Sequence, residues 1–235
     1  LEDNINQLED EIQAREDFVA AFAHELKTPL TSIIGYADAL RSRRLDEEKQ
    51  FMSANYIYTE GKRLEAMYFR LLDIMVTRRG EVEFTMVSAE SLFLYLYDMY
   101  VINKSMKIYF NYDDGMVRAE ANLIKSVLMN LLDNAFKASE ADGLIEVYGH
   151  LMKDGYCFEV KDHGVGIPKE ELHKITKAFY MVDRSRSRSR NGSGLGLALC
   201  AEILELHKSR LNIRSELGKG TTMSFTLPLW KEDQL

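Results

Sequence analysis

The sequence is short of cysteine, of long apolar runs and of basic charge, and each shortage removes a class of protein. Cys157 and Cys200 are the two cysteines. They lie far apart with no CxxC spacing, so neither a zinc site nor a disulfide framework is suggested, and both are expected as buried thiols of a reducing cytosol. No apolar stretch reaches the roughly 18 residues needed to span a bilayer, and no signal-peptide pattern stands at the start. The formal net charge is -7, a poor match for a protein whose main business is nucleic acid. No internal repeat occurs at solenoid periods. A Walker A loop is absent too, because no GK[ST] follows any glycine-rich stretch.

What is present is ordinary globular composition, 46% hydrophobic and 29% charged, over 235 residues. That length allows one large domain or two small ones. The chain begins at Leu1, inside a helical pattern, and is expected to be a piece of something longer. Leu1, Ile5, Leu8, Ile12, Val19, Phe22, Leu26, Ile33, Tyr36 and Leu40 follow steps of four and three, with Arg15 and Pro29 at the two other seam positions. This is a heptad seam and implies a partner helix. Pro29 lacks a backbone donor and crowds the Glu25 carbonyl, so a bend is expected there. A short link, 42–46, leads to a second helical pattern reaching about Thr77. Two such hairpins would bury both seams as a four-helix bundle, so a homodimer is expected.

The pattern changes after "TRRGEVEF", Thr77 to Phe84. A helix near 88–103, a strand at 107–112, a helix near 121–139, two strands joined by Asp154-Gly155, a short helix near Lys169, a further helix and two last strands follow. Mixed strands and helices suggest a two-layer α/β sandwich, making the whole chain α+β: residues 1–79 helical, with 1–17 a coiled-coil lead-in, and residues 80–235 the sandwich.

Within "FAHELKTPLTSIIGY", His24 lies midway between the inward Phe22 and Leu26, and so on the solvent side. Glu25 adjoins it and Thr28 is one turn away on the same face. A carboxylate holding one ring nitrogen leaves the other neutral and nucleophilic. In "NLLDNAFKAS", Asn130, Asn134 and Lys137 share one helix face. Amide oxygens suit Mg²⁺, and Lys137 adds a point charge for phosphate. In "DHGVGIP", Asp162 ends a strand where a carboxylate can accept from an exocyclic amine, and Gly164 and Gly166 let backbone approach a flat ring. In "GSGLGLAL", the glycines from Gly192 stand at a helix start, where N–H groups and the helix dipole favour phosphate.

"HELKTPL" with downstream "SIIGY" resembles the phosphoacceptor box of sensor histidine kinases of two-component systems. "NLLDNAFKAS", "DHGVGIP", "KAFYMVDRSRSR" and "GSGLGLAL" resemble their N, G1, F and G2 boxes, and "GKGTTMSFTLP" resembles the closing strands of an ATP-binding fold shared with gyrase-type ATPases. The resemblance covers nearly the whole chain. It implies that His24 takes the γ-phosphoryl group of ATP with Glu25 as general base, and that Thr28 orients water to dephosphorylate a response-regulator partner. It further implies that Asn130 and Asn134 hold Mg²⁺ and that Lys137 meets phosphate. Asp162 would read adenine, with Thr221 supporting it through water. Tyr180, Gly164, Gly166, Gly192, Gly194, Leu195 and Gly196 fall in the nucleotide boxes. Arg184 and Arg186 resemble a basic ATP lid. Full-length relatives are usually membrane-anchored, with this region in the cytoplasm.

Four positions depart from that pattern: Met181 where an Arg often follows the aromatic pair, Ser126 four before Asn130, Glu120 for the usual Asp, and "HKS" at 207–209 where "HGG" is common. Met181 motivates an alternative, a nucleotide-binding signalling module without kinase activity. The serine–arginine alternation at 184–190 motivates another, an RNA-binding tract, against which the acidic net charge argues.

Overall fold

The computed structural model describes residues 2–42, 44–79, 82–101, 107–140, 143–182 and 194–231, and their side chains except at 2–18, 21, 24, 25, 63, 66–79 and 101. Two compact units are present, one containing Leu1–Leu71 and the other Leu72–Arg186 and Gly194–Leu235. The first holds two long helices, α1 (Glu2–Ser42) and α2 (Glu47–Arg79), the second of which runs on past the unit's edge. Along α1 the expected seam is less exposed from Phe22 onward but not at Val19. Phe22, Leu26, Ile33, Tyr36 and Leu40 are half-buried and Pro29 is buried, while Val19 is exposed. α1 continues through Pro29 as one helix. Downstream of the proline, two hydroxyls bond back to carbonyls one turn earlier, Thr31 to Lys27 at 2.7 Å and Ser32 to Thr28 at 3.2 Å. Tyr36 of α1 stacks on Tyr56 of α2 with ring centroids 4.7 Å apart.

The second unit is a sheet with helices packed on it. Its elements are β1 (Thr85–Ser88), α3 (Ala89–Val101), β2 (Lys107–Tyr112), β3 (Met116–Ala119), α4 (Ala121–Ala138), β4 (Leu144–Met152), β5 (Gly155–Asp162), a 3-10 turn at Lys169–Glu171, α5 (Gly196–Leu206), β6 (Asn212–Glu216) and β7 (Gly220–Leu227). The main sheet has the order β2-β4-β5-β7-β6, with β2 parallel to β4 and the other neighbours antiparallel. Alternation along β4 and β5 sends Ile145, Val147, Tyr156, Phe158 and Val160 to the covered face, as a half-buried sheet requires. There Phe158 stacks between Phe93 of α3 and Phe225 of β7, at 5.7 and 5.1 Å. Cys200 is buried, its thiol directed to the Val127 carbonyl, while Cys157 is half-buried. Burial pushes the Cys157 thiol up.

Two strands were not expected from the sequence. β1 and β3 form a separate antiparallel ribbon from Thr85↔Ala119 to Ser88↔Met116. The chain end closes on it, with Arg118 N–H donating to the Pro228 carbonyl and Trp230 N–H to the Met116 carbonyl.

The "HKS" departure has a structural answer. α5 ends in a Schellman arrangement: Ser209 N–H donates to Leu204 C=O at 2.8 Å and Lys208 N–H to Glu205 C=O at 2.9 Å. The motif needs a left-handed residue, and Lys208 takes it with φ +54°. A side chain there costs about 1–2 kcal/mol that glycine avoids. Lys208→Gly is therefore expected to raise stability by roughly 0.5–1 kcal/mol once glycine's extra unfolded-state entropy is subtracted, read as a later urea midpoint.

His207 caps the same helix and ties it to α4. Its Nδ1–H donates to Ile203 C=O at 2.7 Å, and its Nε2 accepts from Glu120 N–H at 3.1 Å. Phe84 sits edge-on to the ring at 5.0 Å, with the Arg118 guanidinium over the Phe84 face. The imidazole is buried and neutral, and burial holds its pKa below the usual 6.5. Because the unfolded chain binds this proton more readily, the histidine's contribution is present above pH 6.5 and lost as pH falls through the folded value. Stability should decline between pH 6.5 and that folded value by up to about 1.4 kcal/mol per pH unit. Denaturation at several pH values should show the slope, and His207→Gln should flatten it.

Candidate functional site

α4 organises the site. Its buried stripe includes Leu123, Ile124, Val127, Leu128, Leu131, Leu132 and Ala135, and Asn130 falls within it at 8% exposure. Glu120 caps the helix with its carboxylate on Leu123 N–H at 2.6 Å, so it fills the role expected of a shorter Asp. A buried amide needs partners. Asn130 Nδ2 donates to the Ser126 carbonyl at 2.9 Å, so the unusual residue at 126 enters through its backbone. Asn130 Oδ1 points toward α5: a Cβ on Gly196 would lie 2.8 Å from it. Asn134 lies one turn on, its Nδ2 buried with no hydrogen-bond partner among the described residues. Lys137 is half-buried in the next turn.

The C-terminal end of α4 meets the loop after β5. Val165 N–H donates to Ala138 C=O at 3.2 Å, and a Cβ on Gly164 would lie 2.3 Å from that oxygen. Gly166, at φ +68°, abuts the Glu216 carbonyl in the same way. On the side that a Cβ would take, both glycines are packed against the protein's own backbone. The loop is strapped down further by Gly218 N–H on Val165 C=O at 2.7 Å. From Asn130 to Ala138 the helix rises about 12 Å. The start of α5 marks one end of this strip and the β5 loop the other.

Asp162 closes β5 at the second end, 6% exposed. Its Oδ1 accepts from Gly164 N–H at 2.8 Å and from Thr221 N–H at 3.2 Å. Burial pushes the carboxyl above its usual range while these two donors pull against it. Thr221 thus supports Asp162 directly, through its backbone, and its hydroxyl lies 2.8 Å from that of Ser215. Ser215 also accepts from Ile167 N–H and donates to Gly220 C=O, tying the loop to the β6–β7 hairpin. On the outer face, the residues flanking Asp162 both reach Glu146 of β4: Lys161 at 3.2 Å and His163 at 2.7 Å. Tyr148 donates to the same carboxylate. Tyr148 first, then His163, hold the Glu146 carboxyl down at about 2. Neither Ser215 nor Glu146 was expected from the sequence. The one signal available was strand parity, which puts Ser215 on the Asp162 side of the sheet and Glu146, Lys161 and His163 on the other.

Gly194, at φ +67°, packs against the Phe179 backbone, and Phe179 N–H donates to Gly194 C=O at 2.9 Å. Phe179 itself is left-handed at φ +62°, a strain worth about 1–3 kcal/mol held by this clasp. Leu195 is fully buried, so its side chain belongs to the core. Tyr180 is half-buried and donates its hydroxyl to Glu171. Arg184, Arg186 and Gly192 lie outside the described residues, as does the rest of the arginine tract.

On α1 the side chains of His24 and Glu25 are also outside the described set. Their positions are helical, and among the described side chains a turn away from His24, those of Ala20, Lys27 and Thr28 are exposed. Asn130 fits a cation: its nitrogen is committed to Ser126, which leaves the oxygen. Asn134 buries a donor, which suits a phosphate oxygen, and a turned amide would offer its oxygen to the cation instead. Among the described residues no cluster of three or more His, Cys, Asp or Glu could hold a metal, and no helix is long and apolar enough to cross a membrane.

Two family profiles match the chain. One describes the His kinase A phospho-acceptor domain and matches residues 14–75; the other describes histidine kinase-, DNA gyrase B- and HSP90-like ATPases and matches residues 119–231. Sensor histidine kinase YclK of Bacillus subtilis is 30% identical over 99% of this chain and 50% of its own length. Sensor histidine kinase WalK of the same organism is 31% identical over 94% of this chain and 38% of its own. The chain thus spans half or less of these relatives. Among solved structures, histidine kinase ThkA in complex with response regulator protein TrrA aligns over 97% of this chain and 67% of that one, with a TM-score of 0.73 at 24% identity. Acinetobacter baumannii histidine kinase AdeS aligns over 88% and 98%, with a TM-score of 0.65 at 18% identity. At these identities the two structures speak for the fold.

Proposed function

The chain belongs to the sensor histidine kinases of two-component systems, and from that premise we propose that it phosphorylates its own His24 from ATP and passes the phosphoryl group to an aspartate of a response regulator. The observation that carries this reading is the order along α4: a buried carboxylate acceptor at one end, and at the other an amide oxygen beside a glycine helix start. Residues 1–79 are assigned to dimerisation and the acceptor histidine, with 1–17 as a coiled-coil lead-in, and residues 80–235 to ATP. Leu30, Ile34, Phe51 and Tyr58 stand 50%, 59%, 74% and 66% exposed on the hairpin. Apolar exposure of that kind supports a homodimeric four-helix bundle. This region works in the cytoplasm, where ATP and the regulator are.

Asp162 accepts from the 6-amino group of adenine and fixes the base. Asn130 and Asn134 would hold magnesium, which supplies charge neutralisation on the phosphates, and Lys137 meets a phosphate oxygen. Arg184 and Arg186 close over the same charge, and Gly192, Gly194 and Gly196 with the Leu195 backbone cradle it. Tyr180 borders the lid. Glu25 holds one nitrogen of His24 and takes its proton as the other nitrogen attacks the γ-phosphorus, breaking the bond to ADP and forming an N–P bond. Rate comes mostly from positioning and charge stabilisation. Thr28, exposed one turn from His24, orients water for the reverse duty of dephosphorylating the regulator. That ThkA was solved with a response regulator supports this class of partner.

The test is incubation with Mg²⁺ and γ-labelled ATP. Label on the protein that is lost in acid and kept in base is the expected result. ATP binding without any label would favour the nucleotide-binding signalling module that Met181 motivates, and Met181→Arg would then be tried for rescue.

A further inference from the structure

Ser215 has three partners and one proton. It donates to Gly220 C=O at 2.9 Å, accepts from Ile167 N–H at 2.8 Å, and lies 2.8 Å from Thr221 Oγ1. A hydroxyl offers one donor and two lone pairs. The Gly220 carbonyl can only accept, so it takes the Ser215 proton. The Ile167 amide can only donate, so it takes one lone pair. The contact with Thr221 must then run the other way, from the Thr221 hydroxyl into the second lone pair of Ser215. Thr221 has thereby spent its own proton, and its oxygen has only acceptor capacity left. The backbone N–H of Thr221 donates to Asp162 Oδ1, so this residue stands beside the carboxylate, 4% exposed.

We infer that Ser215 is a positioning residue for base selection: by fixing the direction of the Thr221 proton it leaves an acceptor-only pair, Asp162 and Thr221, which takes a purine bearing a 6-amino donor and refuses a 6-oxo purine. The inference rests on the reading of Asp162 as the adenine acceptor. A site whose polar groups match only one partner discriminates strongly, because the wrong base leaves acceptors facing acceptors. Without Ser215, the Thr221 hydroxyl is free to turn and donate to a 6-oxygen.

The experiment is titration of the whole chain with ATP and with ITP in the presence of Mg²⁺, for the wild type and for Ser215→Ala, Ser215→Thr and Asp162→Asn. Ser215→Ala is expected to bind ITP more tightly and ATP about as before, so that the ATP-over-ITP ratio falls by about tenfold. Ser215→Thr, which restores the hydroxyl at a strand position that tolerates β-branching, should keep the wild-type ratio. Equal weakening of both nucleotides in Ser215→Ala would mean that the hydroxyl only holds the loop, and would overturn the inference. So would an unchanged ratio in Ser215→Ala when Asp162→Asn shifts it. A ratio that Asp162→Asn also leaves unmoved would sink the adenine reading itself, and this inference with it. If Ser215→Ala does not fold, Thr221→Val decides: the ratio should drop through loss of ATP affinity, and an unchanged ratio overturns the inference.

Discussion

His24→Gln should carry no acid-labile phosphate after incubation with Mg²⁺ and labelled ATP, while binding ATP as tightly as the wild type. The effect is expected to be total because an amide has no nucleophilic nitrogen to form the N–P bond. Glutamine is a good helix former, and the neighbouring positions Ala20, Lys27 and Thr28 are exposed, so α1 should tolerate the change. Unaltered ATP affinity separates loss of the acceptor from loss of the ATP-binding unit. Label that persists on the variant with the same acid lability would move the acceptor to another residue and end the assignment of His24.

Asp162→Asn should weaken ATP binding by about a hundredfold, yet leave the protein at least as stable as before at pH 7. The asparagine oxygen can still accept from Gly164 and Thr221 N–H, which keeps the loop in place. What changes is the other side of the group, where a donor replaces an acceptor and faces the adenine amine. The stability half follows from the raised carboxyl. A carboxyl that is harder to ionise when folded costs stability as pH rises above its unfolded value of 3.8. A neutral amide removes that cost at pH 7 and gains nothing at pH 3. Calorimetric titration and thermal melts at both pH values check the two halves. A lower melting point at pH 7 together with full ATP affinity would contradict both. A free-state cost carried for the sake of ligand binding is a common trade at functional sites.

The chemistry-bearing segments were legible because each is local. Helical spacing alone puts Asn130, Asn134 and Lys137 on one face, and it sets His24 apart from Phe22 and Leu26. The order of these segments, with two profile matches behind it, is also a property of the sequence. The sequence by itself therefore determined the family, the α+β class and the residues worth testing. Tertiary structure decided how they are held. β1 and β3 are four residues each and are strands only because they pair with one another and with the chain end. The reason for Gly164 lies at Ala138 and that for Gly166 at Glu216, both far away in sequence. The direction of the Thr221 proton depends on Ile167, Ser215 and Gly220 meeting at one oxygen. Local patterns encode which face a side chain takes; which partner satisfies a buried polar group is settled only when distant segments pack and water is excluded from between them.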